Sequence, residues 1–169
     1  MDRDELRATQ APLKRRYEES PEAAVVTLSA SGALGEGVSC SVDTGRALSE
    51  AGLHPASGGD GSLLCSGDML LEAMVACAGV TLRAVATSLG IEVRGGEVRA
   101  EGELDFRGTL GVDQGAPVGF RDVRLEFELD TDADPEQLET LLRLTERYCV
   151  VLQTVTGPTP VHASLGKAG

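Results

Sequence analysis

The sequence predicts an α+β domain, antiparallel strands packed on one apolar central helix. Three observations predict it. The stretch LLCSGDMLLEAMVACAGVTLRAVATSLG (63–90) is the longest apolar run, with Glu72 the only charge between Met69 and Leu82. After Gly90 the hydrophobic period becomes two, through IEVRGGEVRAEGELDFRG and FRDVRLEFELD, as in half-exposed strands. A second helix then opens on Asp134-Pro135-Glu136-Gln137, an N-cap, a first-turn proline and a Gln that completes a capping box. The order β-β-α-β-β-α-β, with long strand runs and only two substantial helices, describes an α+β domain.

Taken in order, residues 5–19 place Leu6, Leu13 and Tyr17 among charges, which suits a short amphipathic helix interrupted by Pro12. Residues 1–22 thus form an arm or short helix, and 23–165 the core of a single domain. AAVVTLSA, the Gly-rich SGALGEG and VSCSVDT read as strand, turn and returning strand. GLHPASGGDGS (52–62) reads as a flexible loop. The central helix is predicted over 67–89, with Ser66 as N-cap, Asp68 in the first turn and Gly90 past the end. A helix apolar on every side is predicted to be covered on every side, which so small a domain does not manage alone, so a dimer is expected. Gly79 marks a close approach of another segment. TLGVDQGAPVG (109–119) is a loop, and the tail predicts a turn or helix from Val150 and an edge strand near 160–165.

A chain of 169 residues is most simply one domain with a real core. Fifteen basic against 27 acidic residues give a net charge of −12, which repels phosphate backbones and anionic lipid, so no nucleic-acid or membrane partner is expected. The apolar run meets Arg83 too soon for a membrane span. Aromatics are 3% and Trp is absent, so no stacking platform for single strands is expected. The charged N-terminus has no apolar leader core, which predicts a cytoplasmic protein with reduced thiols.

Four cysteines, 40, 65, 77 and 149, form no CxxC pair, against both a disulfide scaffold and a zinc site. Cys77, flanked by Val75, Ala76, Ala78 and Gly79, reads either as a small core hydrophobe or as a reactive thiol. Cys149 follows Arg147 and Tyr148 where one helix stops, where a cation and free N–H groups favour thiolate. Cys40 reads as strand packing, and Cys65, just before the helix start, as a buried spacer in preference to a thiol made reactive by the helix end. Glu72 points about 140° round the helix from Cys77 and reads as structural. His54 and His162 have no partner at ligand spacing, so neither a metal site nor a Cys-His hydrolase is expected. GGDG lacks the Lys of a phosphate loop, and no cofactor is implied.

The run SGDMLLEAMVACAGVTL, followed after strands and an amphipathic helix by TERYCVVLQTVTG, resembles the OsmC/Ohr family of osmotically inducible and organic hydroperoxide resistance proteins. The resemblance covers roughly residues 23–165 and rests on a Cys in the apolar helix and a second Cys after the second helix. It implies an OsmC-like fold: antiparallel sheets, a buried central helix, and an intertwined homodimer with active sites at the subunit interface. It further implies a thiol peroxidase for organic hydroperoxides, with Cys77 peroxidatic, Cys149 resolving and an external dithiol as reductant. Family peroxidases carry a Glu about ten residues before the first Cys and an Arg in the N-terminal hairpin. Here those places hold Gly67, followed by Asp68, and a turn without Arg. Asp68, about 13 Å back along the helix, and Arg46 are the orienting candidates, with Arg15, Arg16 and Arg147 behind them. Val150 stands where the family often has Pro. The rival reading is a non-catalytic OsmC-like module that binds a small hydrophobic ligand; a thioester hydrolase using Cys77 alone is a third.

Overall fold

The structure, a computed structural model, describes residues 3–34, 40–42 and 51–166. Its elements are α1 (Arg3–Glu19), β1 (Val25–Leu34), β2 (Cys40–Val42), β3 (Ala51–Gly52), β4 (Leu64–Cys65), α2 (Ser66–Leu89), β5 (Gly95–Asp105), α3 (Phe106–Thr109), β6 (Phe120–Asp130), α4 (Pro135–Tyr148) and α5 (Val150–Thr156). A four-stranded antiparallel sheet has the order β2-β1-β5-β6, and β3 and β4 form a small parallel pair. The fold is therefore a mixed helix and antiparallel-sheet arrangement, as the sequence pattern predicts.

The period-two segments form the sheet because alternate residues can be buried while their neighbours stay in water. On β5, Val98 and Ala100 are fully buried while Arg99 and Glu101 are exposed. Val98, Ala100 and Gly102 stand opposite Phe127, Leu125 and Val123 of β6. The apolar series of β6 skips a step between Phe120 and Val123, and a bulge accounts for it. Glu103 pairs with Asp122 but Leu104 with Phe120, so Arg121 is extra and Phe120 returns to the inner face. The Phe120 ring then lies 2.5 Å from where a Cβ on Gly102 would be, so a side chain at this strand position would have to displace the ring.

α2 lies across β1 and β5 with α4 and α5 on its flank. Leu71, Val75 and Ala78 join Val98, Ala100 and Cys149 in one core cluster; Leu82, Val85 and Ala86 join Val93 and Leu141 in a second. Gly79 is buried too. Among the described residues the helix is not covered on every side. Leu89 is 41% exposed; Leu70 and Val80, each 38% exposed, belong to a stripe, Leu70, Ala73, Cys77, Val80, Ala84 and Thr87, on the more exposed side of the helix. One sheet and two helices can cover only part of a cylinder.

Several local expectations change. Pro12 lies inside α1 without ending it, because contacts on both sides of it hold the helix. The Tyr17 hydroxyl donates to the Ala56 carbonyl at 2.6 Å and Gln10 Nε2 to the Ser57 carbonyl at 3.2 Å. α1 thus packs on its own chain, with Tyr17 clustered on Ala24, Phe106 and Leu110. Residues 52–62, expected as flexible loop, contain a 3-10 turn at Pro55–Ser57 tied by hydrogen bonds to His54. Cys65, not Ser66, caps α2, its sulfur accepting the Gly67 N–H at 3.4 Å. β1 extends through Leu34 into the expected turn, whose remainder lies outside the described residues. The expected strand at 160–165 does not form. Val161 and Leu165 are exposed, since Pro158 and Pro160 remove two donors that would have to join a sheet edge.

Candidate active site

α2 and the α4–α5 junction bring Cys77 and Cys149 together. α4 starts where the sequence placed it: Asp134 accepts the Gln137 N–H at 2.9 Å while the Gln137 side chain accepts the Asp134 N–H at 3.0 Å. Its Leu141 packs on Leu82 and Val85 of α2, which sets where α4 ends. Cys149 is at once the C-cap of α4 and the N-cap of α5, in extended conformation with φ −71° and ψ 107°. This single non-helical residue turns the chain from α4 into α5. Cys149 is fully buried, while Cys77 is half-buried on the open stripe. Both are free thiols, Cys77 packs against the core cluster that contains Cys149, and each influences the other's ionisation.

The two sulfurs ionise differently. Burial pushes the Cys77 thiol up, but the Val151 N–H, the Cys149 thiol, the Thr81 hydroxyl and the Val150 N–H together bring it below the ordinary value. Burial is also the largest influence on Cys149 and pushes it up; the neighbouring Cys77 charge adds to this, against the Leu152 and Val151 amides. Cys149 makes no well-aligned cap bond of its own. The two thiols are thus shifted in opposite directions, Cys77 downward and Cys149 upward.

The orienting candidates fall elsewhere. Asp68 is half-buried in the first turn of α2; burial holds its carboxyl above the usual range, offset by the nearby His54. His54 Nδ1 accepts the Ala56 N–H at 3.0 Å, and its ring stacks on Phe106 at 5.0 Å. Asp68 is not among the groups acting on the Cys77 sulfur. Arg46 lies outside the described residues. The Arg147 guanidinium sits 5.5 Å over the Tyr148 ring, and Arg15 and Arg16 are exposed on α1. What the sequence reading missed is Thr81 and the α5 amides. A hydroxyl one turn after Cys77 is visible in the sequence, whereas the amides are set by how α5 docks.

A cavity of about 350 Å³ lies between α2, β6 and α4, lined by Leu82, Leu125, Phe127, Leu129, Leu138 and Leu142 among others. Leu125 and Phe127 also pack on the cluster that holds Cys149 and borders Cys77. Among the described residues no group of three or more His, Cys, Asp and Glu side chains is placed to hold a metal ion.

The sequence model of OsmC-like proteins matches residues 59–164. A solved structure, that of an OsmC-like hydroperoxide resistance protein from Jannaschia sp. CCS1, is similar with a TM-score of 0.61 at 15% identity, over 85% of this chain and 95% of that one. At that identity the likeness is one of fold. No curated protein matches the chain.

Proposed function

Because the chain belongs to the OsmC-like protein family, we propose that it is a thiol-dependent peroxidase that reduces organic hydroperoxides through Cys77 and Cys149. The observation that supports this reading is that Cys77 packs against the core cluster containing Cys149, 72 positions on in sequence (149 less 77), with the first thiol lowered and the second raised. The Cys77 thiolate attacks the terminal oxygen of ROOH, the O–O bond breaks, and the alkoxide takes a proton and leaves as ROH. Cys77 is then a sulfenic acid. The Cys149 sulfur attacks the Cys77 sulfur, giving a Cys77–Cys149 disulfide and water. An external dithiol resets the pair by exchange, which suits a reducing cytoplasm.

The apolar cavity beside this cluster favours alkyl-chain hydroperoxides over hydrogen peroxide, since only the former bury apolar surface there. The working unit in this reading is a homodimer. The open stripe on α2 repeats at intervals of three and four residues, the spacing at which one helix packs on another, and it passes through Cys77. The same cavity favours the second reading, a non-catalytic module for a small hydrophobic ligand.

Titration of the reduced protein with cumene hydroperoxide, with disulfides mapped by mass spectrometry, separates the two. The peroxidase reading expects a Cys77–Cys149 bond at stoichiometric peroxide, one alcohol per disulfide, and neither in Cys77→Ser. Absence of that bond, with retained binding of a hydrophobic ligand, selects the module.

A further inference from the structure

The cavity between α2, β6 and α4 adjoins a charged rim that the cysteine chemistry does not use. Its apolar body, about 350 Å³, is lined by Leu82, Leu125, Phe127 and Leu129 and, from α4, by Leu138 and Leu142, a volume within the range of small-ligand sites. Neither Cys77 nor Cys149 lines it. Leu138 and Leu142 are 37% and 44% exposed, so the α4 wall is open to water. Thr131 lines this cavity and also a depression of about 190 Å³ beside it, with Glu92, Asp132 and Gln137. That depression shares Ile91 and Gln137 with another of about 220 Å³, which Asp134 and Glu136 line at the start of α4. Backbone contacts fix this rim: the Thr131 hydroxyl donates to the Glu92 carbonyl at 2.5 Å and the Arg94 N–H to the Asp130 carbonyl at 2.9 Å. Among the described residues, no Lys or Arg lines any of the three. Arg94 reaches Asp132 at 2.6 Å from outside them, and the Asp134 carboxylate accepts the Gln137 N–H. Glu92 and Glu136 are exposed beside the depressions that they line.

We propose that this cavity binds a single-chain amphiphile with a cationic head, a long-chain amine, its alkyl chain against Leu125, Phe127, Leu138 and Leu142 and its ammonium beside Glu92 and Glu136. This goes beyond the peroxidase reading and needs no cysteine chemistry. Burial of the chain supplies the affinity, and the sign of the head decides which chain is held. A carboxylate on the same chain would meet four acids on the rim, Glu92, Asp132, Asp134 and Glu136, with Arg94 offsetting one of them. The positive end of α4 lies at this rim and opposes a cation, but Asp134 and Glu136, in its cap and first turn, offset that partial charge.

The test is calorimetric titration of the reduced full chain at pH 7 with dodecylamine, dodecanol and dodecanoate, one chain with three heads, below micelle formation. Dodecylamine should bind about tenfold more tightly than dodecanoate at low ionic strength, the size of a few exposed charge contacts, with dodecanol between them. That ratio should shrink in about 1 M salt, where screening acts within about 3 Å. Glu92→Gln combined with Glu136→Gln should reduce the ratio to about threefold or less and leave dodecanol binding unchanged. Glu18→Gln combined with Glu19→Gln, the same change in net charge made on α1, should leave the ratio as in wild type. Leu142→Glu should weaken all three ligands; if it does not fold, Leu138→Gln takes its place. No binding of any of the three, dodecanoate binding as tightly as dodecylamine, or a ratio that the changes at Glu92 and Glu136 do not move overturns the proposal. A Cys77–Cys149 disulfide under cumene hydroperoxide in a protein without this preference keeps the peroxidase reading and removes the amphiphile site; the preference in a protein that forms no disulfide does the reverse.

Discussion

At the scale of single residues, the site is a competition between burial and hydrogen bonding for two sulfurs in contact. Burial raises both thiols, and the groups around Cys77 turn its shift downward. Val150 shows how local the balance is. It occupies a place often held by proline in the family that the chain resembles, and it retains an N–H that acts on the Cys77 sulfur. Val150→Pro is compatible with the backbone, since proline suits the first position of a helix and the preceding Cys149 is already extended. The substitution should leave the fold intact while raising the pH midpoint of Cys77 alkylation. Alkylation at pH 7 should slow by about two- to fivefold, less than for a fully desolvated bond. An unchanged midpoint would show that Val151, Thr81 and Cys149 suffice.

At the scale of elements, the helices that hold Cys77 and Cys149 were legible because strong local signals agree with the packing. The apolar run defined α2 to within a residue of its start, and the capping box fixed the start of α4. Cys77 and Cys149 were legible as candidates for the same reason: each sits where such an element passes or stops. α1 was harder to read, since Pro12 signals a break that contacts from Gln10 and Tyr17 override. The step in β6 was legible only as a fault in the alternation; its cause is the bulge opposite Leu104. The end of β5 offers a further test. Asp105, with 2% of its side chain exposed, caps α3 through the Arg107 N–H and pairs with the Arg107 guanidinium at 2.5 Å. That hydrogen bond, the largest influence, outweighs burial and holds its carboxyl below the usual range. An acid whose pKa is lowered by folding contributes stability above its unfolded pKa, here near the ordinary 3.8, and loses it as pH falls through the folded value. Asp105→Asn should therefore cost about 2 kcal/mol in urea unfolding at pH 7. The difference from wild type should shrink below pH 4. A constant difference across that range would assign the loss to packing or capping and not to the charge.

At the scale of the whole molecule, two faces of the chain have opposite character. The outer face of the sheet carries interleaved charges, with Arg124 reaching Glu101 at 3.3 Å and Glu103 at 3.2 Å, and a net charge of −12 keeps such surfaces apart in solution. The outward stripe of α2 has no charge from Leu70 through Thr87 at its contact positions, so repulsion does not protect it from water or from another copy. Self-association through this stripe would bury Leu70 and Val80 and enclose the half-buried Cys77, leaving the charged sheets outermost. Val80 lies three residues past Cys77, near the middle of the stripe, and is 38% exposed. Val80→Glu adds little strain to the single chain, since that position already meets solvent, but it places a carboxylate on each side of a shared apolar seam. Two such charges facing each other in low dielectric cannot both stay ionised without large cost. Sedimentation velocity should thus give a dimer for wild type and a folded monomer for Val80→Glu at micromolar concentration. Cys77 of the monomer, exposed on its outer side, should alkylate faster than in wild type. A monomeric wild type, or a Val80→Glu variant that remains dimeric, would place the dimer contact elsewhere and make the open face of α2 a surface that this chain presents alone.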